Sequence, residues 1–144
     1  MQFESTTVIA AARPVVWDAL ADVSRWPDWT ASMTSVRPTE PGPIGPGSVV
    51  RIKQPKLPPA TWRVTEFEPG WSFTWVSRAP GVTTTAWHRL DPEGDRTRAT
   101  VGISQHGPLG RLIGLLAGRL IRRYLTLEIE GLRRHTEAPA RPPS

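Results

Sequence analysis

Three histidines hold the most versatile chemistry in this 144-residue chain. Histidine changes charge near neutral pH, so it serves as general acid, general base or hydrogen-bond partner. His135 stands near the C-terminal end beside Arg133 and Arg134, where a cation suits a helix terminus. His106 closes a strand-like run next to Gly107. His88 differs from both. It lies inside the segment VTTTAWHRL (82–90) and shares parity with Thr84, Ala86 and Leu90. Alternate residues of a strand face one side. If Leu90 points inward, so does His88. Two readings follow: an acid–base or ligand-contacting group, or a histidine satisfied by its strand neighbours. A catalytic histidine ordinarily leans on a third, orienting group. Here Glu66 and Glu68 share a strand face, while Glu128 and Glu130 fall on different sides of a helix. No carboxylate pair emerges, and His88 stands alone as the catalytic candidate.

Other chemistries are excluded outright. Cysteine is absent. That removes disulfides, thiolate zinc sites, iron–sulfur clusters and cysteine nucleophiles. The chain has no GxSxG elbow, P-loop, GxGxxG after a strand or HExxH. The acidic run Asp91-Pro92-Glu93-Gly94-Asp95 lacks the ligand spacing of a calcium loop and reads as a hairpin turn. No metal and no cofactor are expected. No run of about 18 apolar residues is present, so stable membrane insertion is not expected. The N-terminus lacks a basic region followed by an apolar stretch. The cytoplasm is the expected address.

Seven tryptophans stand against one tyrosine and three phenylalanines. Tryptophan offers a large apolar surface and one donor. Trp17, Trp26 and Trp29 fall in a helical stretch, and Trp62, Trp71, Trp75 and Trp87 in strand-like ones. Trp87 has the opposite parity to His88 and should lie on the outer face, where a homodimer contact is one reading.

The elements that must position these groups follow from pattern. Residues 2–10 alternate and are β-branched, as in a strand. Pro14 suits a helix start, and Ser24 opens a second short helix carrying Pro27 and Trp29. Residues 31–37, 48–54, 60–68, 71–78, 82–90 and 96–106 read as strands. The later ones are separated by Pro69-Gly70, Pro80-Gly81 and the 91–95 turn, as in an antiparallel meander. Pro38 to Gly47 reads as a loop, and a lid over a cavity mouth is open to it. From Leu109 to Glu137 one long helix is expected. It carries two apolar stripes: Leu112, Leu116, Leu120, Tyr124, Leu127, and Gly118, Ile121, Leu125, Ile129, Leu132. Gly110, Gly114 and Gly118 suggest close packing of this helix on a sheet. Residues 138–144 are proline-rich and read as a flexible tail.

The fold class is therefore α+β in a single domain, residues 1–137. About seven antiparallel strands curve around the long helix, with two short helices after the first strand. Parity places Ile52, Gln54, Trp62, Phe73, Trp75, Ser77, Thr84, His88, Val101, Ile103 and Gln105 on the inner wall. Trp26 and Trp29 form a floor, and Leu116, Leu120 and Tyr124 face them from the helix. An apolar wall with sparse polar members is how small-molecule pockets are built.

This order resembles the helix-grip, START-like (SRPBCC) superfamily, and within it the polyketide cyclase/dehydrase and lipid-transport group. Val16-Trp17-Asp18-Ala19-Leu20, Trp26-Pro27-Asp28-Trp29, Trp62 through Gly70 and Glu130-Gly131-Leu132-Arg133-Arg134 carry the resemblance. It implies a cavity for a hydrophobic small molecule such as a lipid or aromatic polyketide. It also admits a cyclase/dehydratase in which His88, with Gln54 or Gln105, moves protons.

Charge supplies a third alternative. The chain carries a net +5, and residues 109–144 hold seven arginines against three glutamates. Such a helix face is either simply solvated or an interaction surface for nucleic acid or membrane. No nucleic-acid motif accompanies it, so nucleic acid is not the expected partner.

Overall fold

The computed structural model describes residues 2–137. The chain opens with strand β1 (Gln2–Ile9), helix α1 (Arg13–Ala21) and a 3-10 helix (Val23–Asp28). Six strands follow: β2 (Ser35–Pro38), β3 (Val49–Lys53), β4 (Ala60–Glu68), β5 (Ser72–Ala79), β6 (Val82–Glu93) and β7 (Arg96–His106). Helix α2 (Gly110–Glu137) ends the described chain. The proline-rich tail expected at 138–144 lies outside the described residues.

All seven strands form one antiparallel sheet in the order β1-β7-β6-β5-β4-β3-β2. Strands β2 to β7 are sequential neighbours, and β1 closes the far edge against β7. This is the helix-grip α+β fold expected from the sequence. Alternation decides the faces. Val50, Ile52, Trp62, Val64, Phe73, Trp75, Leu90, Ala99 and Val101 are all buried, while Arg51, Arg63, Arg89 and Arg98 between them are exposed. A register shift between Val64 and Glu66 interrupts the β4–β5 ladder.

The floor is made by the two short helices. Pro14 sits in the first turn of α1, and Pro27 lies inside the 3-10 helix. The indole Nε1 of Trp26 donates to the Leu20 carbonyl at 3.0 Å, clipping the second helix to the first. Trp26 is fully buried and touches the rings of Trp29, Phe73 and Trp75.

Two boundaries differ from expectation. The strand expected over 31–37 is only β2, from Ser35. Thr30 and Ser32 bond each other through their hydroxyls at 2.7 Å, and the Ser32 N–H donates to Thr30 Oγ1 at 3.2 Å. Such side-chain bonds offer the backbone an alternative to a ladder. The 91–95 turn is also tighter. Strand β6 continues to Glu93, and only Gly94 and Asp95 turn, with Gly94 at φ +65°. A left-handed glycine allows this two-residue hairpin.

Helix α2 lies against β1, β7 and α1. Its small residues let it approach closely. A Cβ at Gly110 would stand 3.0 Å from the Gln105 carbonyl oxygen, and one at Gly118 would stand 3.4 Å from the Phe3 ring. At Gly131 it would stand 2.1 Å from the Trp29 carbonyl oxygen, so only glycine fits there. The inward stripe is Ile121, Leu125, Ile129 and Leu132. The other expected stripe divides: Leu112 and Leu116 face out, at 50% and 79% exposure, while Tyr124 is buried. No helix among the described residues is long and apolar enough to cross a membrane.

Candidate functional site

Between the sheet's inner face and α2 lies a cavity of about 230 Å³. Its sheet wall is Ile52, Trp62, Trp75, Ser77, Thr84, Ala86, His88, Val101, Ile103 and Gln105. Gln54, Leu57 and Pro58 join it from the chain after β3, and Trp26 and Met33 from the floor. Helix α2 contributes Ile113, Ala117, Ile121, Tyr124, Leu125 and Glu128.

Most of the residues expected from parity therefore meet on one wall, and four do not. Phe73 lies behind the surface, 1% exposed, with its ring stacked on His88. Trp29 is buried at the base, under α2, where its ring stacks on His135 with centroids 6.2 Å apart. Leu116 and Leu120 lie away from the wall. Ile113, Ala117 and Ile121 take that place, because the helix turns its small-residue stripe toward the sheet. Trp71 is 40% exposed beneath the Arg13 guanidinium, outside any strand. Trp87 lies across Gly102 on the outer face, and its Nε1 donates to Glu4 at 2.9 Å. Its apolar surface is therefore partly covered within the chain.

The chemical centre is a residue pair that the sequence reading missed. His88 Nε2 lies 3.1 Å from Glu128 Oε1, with the two side chains only 4% and 8% exposed. Strand β6 supplies the histidine and helix α2 the carboxyl. Phe73 stacks on the imidazole at 4.2 Å and 13°, and Trp75 meets it edge-on at 5.5 Å and 86°. Trp26 closes another side at 5.5 Å. The ring is thus fixed by packing as well as by its bond. His88 Nδ1 is buried with no hydrogen-bond partner among the described residues. One signal could have found Glu128. It stands four residues after Tyr124, seven after Ile121 and four before Leu132, on the inward helix face.

Two further polar contacts shape the cavity. Gln54 Nε2 donates to the Ser32 carbonyl at 3.2 Å. The Tyr124 hydroxyl donates to the Pro55 carbonyl, tying α2 to the chain between β3 and β4. Among the described residues no lysine or arginine lines the cavity. Arg133, farther along α2, is held more firmly protonated than usual, chiefly by its hydrogen bond to Glu130. No cluster of three or more metal-ligating side chains occurs among the described residues. A carboxylate on one nitrogen orients the imidazole as in acid–base pairs, while Nδ1 is closed off by the packing around it.

The chain belongs to the polyketide cyclase/dehydrase and lipid transport family, whose model matches residues 1–137. Solved structures of the same fold include the hypothetical protein jhp0584 from Helicobacter pylori, with a TM-score of 0.82 at 14% identity over 94% of this chain and 88% of that one. TTHA0849 from Thermus thermophilus gives a TM-score of 0.76 at 15% identity, over 96% of this chain and 98% of its own. DynU16, a protein of the dynemicin biosynthetic locus, gives 0.71 at 18% identity, over 95% of this chain and 47% of that one. At such identities the likeness is one of fold. No curated protein matches the chain in sequence.

Proposed function

We propose that this protein binds one small hydrophobic molecule in the cavity between the sheet and α2. The observation that carries this is a 230 Å³ space walled by Trp26, Trp62, Trp75 and aliphatic side chains, with few polar groups. Apolar cavities of about 150 Å³ hold benzene. The volume here suits one or two rings, or a short chain of similar bulk. A fused four-ring product would need the wall to move. Membership of a family that includes lipid transport supports the reading. On it, the partner is the small molecule rather than nucleic acid, and the cytoplasm is the compartment expected.

The test is native mass spectrometry of the purified protein, with denaturing extraction, followed by fluorescence titration with small hydrophobic compounds. Trp26, Trp62 and Trp75 on the wall should report binding. Repeated absence of any adduct, with no fluorescence shift across the panel, would sink the reading.

A second reading, cyclase/dehydratase chemistry, is favoured by the pairing of His88 with Glu128. Here the wall holds a keto chain in reactive shape and His88 moves the proton. Unchanged turnover of His88→Ala in a reconstituted assay would rule out His88 as the proton-moving group.

A further inference from the structure

We infer that the outward side of the first half of α2 is a docking surface for an anionic membrane, on which the protein rests without crossing it. This surface lies on the side of the helix turned away from the sheet, and the proposal stands independently of the cavity's holding a ligand.

A large apolar side chain left in water forgoes the gain of burial. Leu109, Leu112, Leu115 and Leu116 do so together, at 43%, 50%, 70% and 79% exposure. They are four of the seven large hydrophobic side chains exposed among the described residues, so the exposure is clustered. Clustered apolar exposure with a polar rim marks a contact site, where scattered single residues do not. The helix carries the patch straight into charge. Positions 112, 115, 116, 119 and 123 share one helix face, so the leucines pass directly into Arg119 and Arg123, with Arg111 and Arg122 on the flank. All four arginines are exposed, and none forms an ion pair among the described residues. Residues 96–127 contain no carboxylate that could answer them. The second half of the same helix differs: there Arg133 pairs with Glu130 and Glu137.

Whatever covers this surface must supply both apolar depth and negative charge. A second copy of the chain supplies only the first. A two-fold contact brings one patch against itself, and arginine would meet arginine with no carboxylate between them. Four leucines also fall short of the about 800 Å² per partner that a stable protein interface buries. Nucleic acid supplies the charge, but no apolar depth for Leu115 and Leu116. A bilayer with anionic headgroups supplies both. The leucines enter the boundary of the acyl chains, and guanidiniums on long apolar stems reach the phosphates above it. Each basic side chain held near such a surface adds to the attraction.

Vesicle flotation of the full chain tests the docking with two probes: phosphatidylcholine alone, and phosphatidylcholine with about one-third phosphatidylglycerol. We expect the second to be bound about tenfold more tightly, and the binding to weaken as salt is added. Leu115→Gln/Leu116→Gln replaces two largely exposed side chains, so circular dichroism and urea unfolding should be unchanged. It should lose about tenfold in affinity for the mixed vesicles. Arg119→Gln/Arg123→Gln should lose most of the preference for the anionic lipid. Equal binding of the two vesicle types by the unsubstituted protein overturns the inference, and so does binding to neither. Full binding by the leucine variant also overturns it, since the apolar patch would then do nothing. A dimer in sedimentation velocity that the leucine variant dissolves overturns it in favour of a second copy. Duplex DNA that displaces the protein from the mixed vesicles overturns it in favour of nucleic acid. None of these outcomes bears on the cavity reading, which the titration with hydrophobic compounds tests separately.

Discussion

The two halves of α2 do different work. Residues 121–137 bury Ile121, Tyr124, Leu125, Glu128, Ile129 and Leu132, and press Gly131 onto the Trp29 carbonyl. Residues 110–120 bury only Gly110 and Gly114 and leave Leu112, Leu115 and Leu116 at 50%, 70% and 79% exposure. In the second half large side chains fill the space beneath the helix. In the first half glycines approach the sheet, and only Ile113 and Ala117 reach the cavity, whose other helix residues, Ile121, Tyr124, Leu125 and Glu128, come from the second half. The first half gives up core contacts, so stability should be concentrated in the second half, which both packs the core and lines most of the helix side of the cavity.

That contrast can be broken by paired substitutions. The largest effect is expected from Leu132→Ala, which empties a 1%-exposed site in the second half. It should cost about 3 kcal/mol in urea unfolding. Next comes Gly131→Ala. Its Cβ would collide with a backbone oxygen that cannot swing aside, for a loss of about 2 kcal/mol despite alanine's better helix propensity. The matched change in the first half, Gly118→Ala, meets only the edge of the Phe3 ring and should be neutral or stabilising by up to about 1 kcal/mol. Leu116→Ala should be smallest, within about 0.5 kcal/mol. If Leu116→Ala cost as much as Leu132→Ala, the division of the helix would be wrong. Amide hydrogen exchange sharpens the same point without substitution: protection should be stronger over 121–137 than over 110–120.

The sheet was readable because period-two alternation gives each residue one of two faces. Val50, Ile52, Trp75 and Val101 fall inward for that reason, and most of the cavity wall followed. The helix was less readable where it matters most. Around 110–120 nearly every face is apolar or small, so periodicity cannot choose between Leu112-Leu116-Leu120 and Ile113-Ala117-Ile121. The decision belongs to packing distance, since glycines at 110, 114 and 118 bring the backbone to the sheet. Glu128 was legible only from its place on the inward helix face, and residue type argued against it. A glutamate in a helix is ordinarily exposed, and its partner is 40 residues away in sequence. The short β2 was lost to local hydroxyl bonding at Thr30 and Ser32, which pattern does not register.

The uneven charge of the chain has a consequence in rates. From Arg96 to Leu127 there is no acidic residue, while Arg111, Arg119, Arg122 and Arg123 stand exposed on α2. Positive charge therefore stands unopposed by acidic residues from the start of α2 to just past its midpoint. Anionic solutes diffusing toward the molecule are drawn to that side first, and added salt slows their arrival more than that of neutral ones.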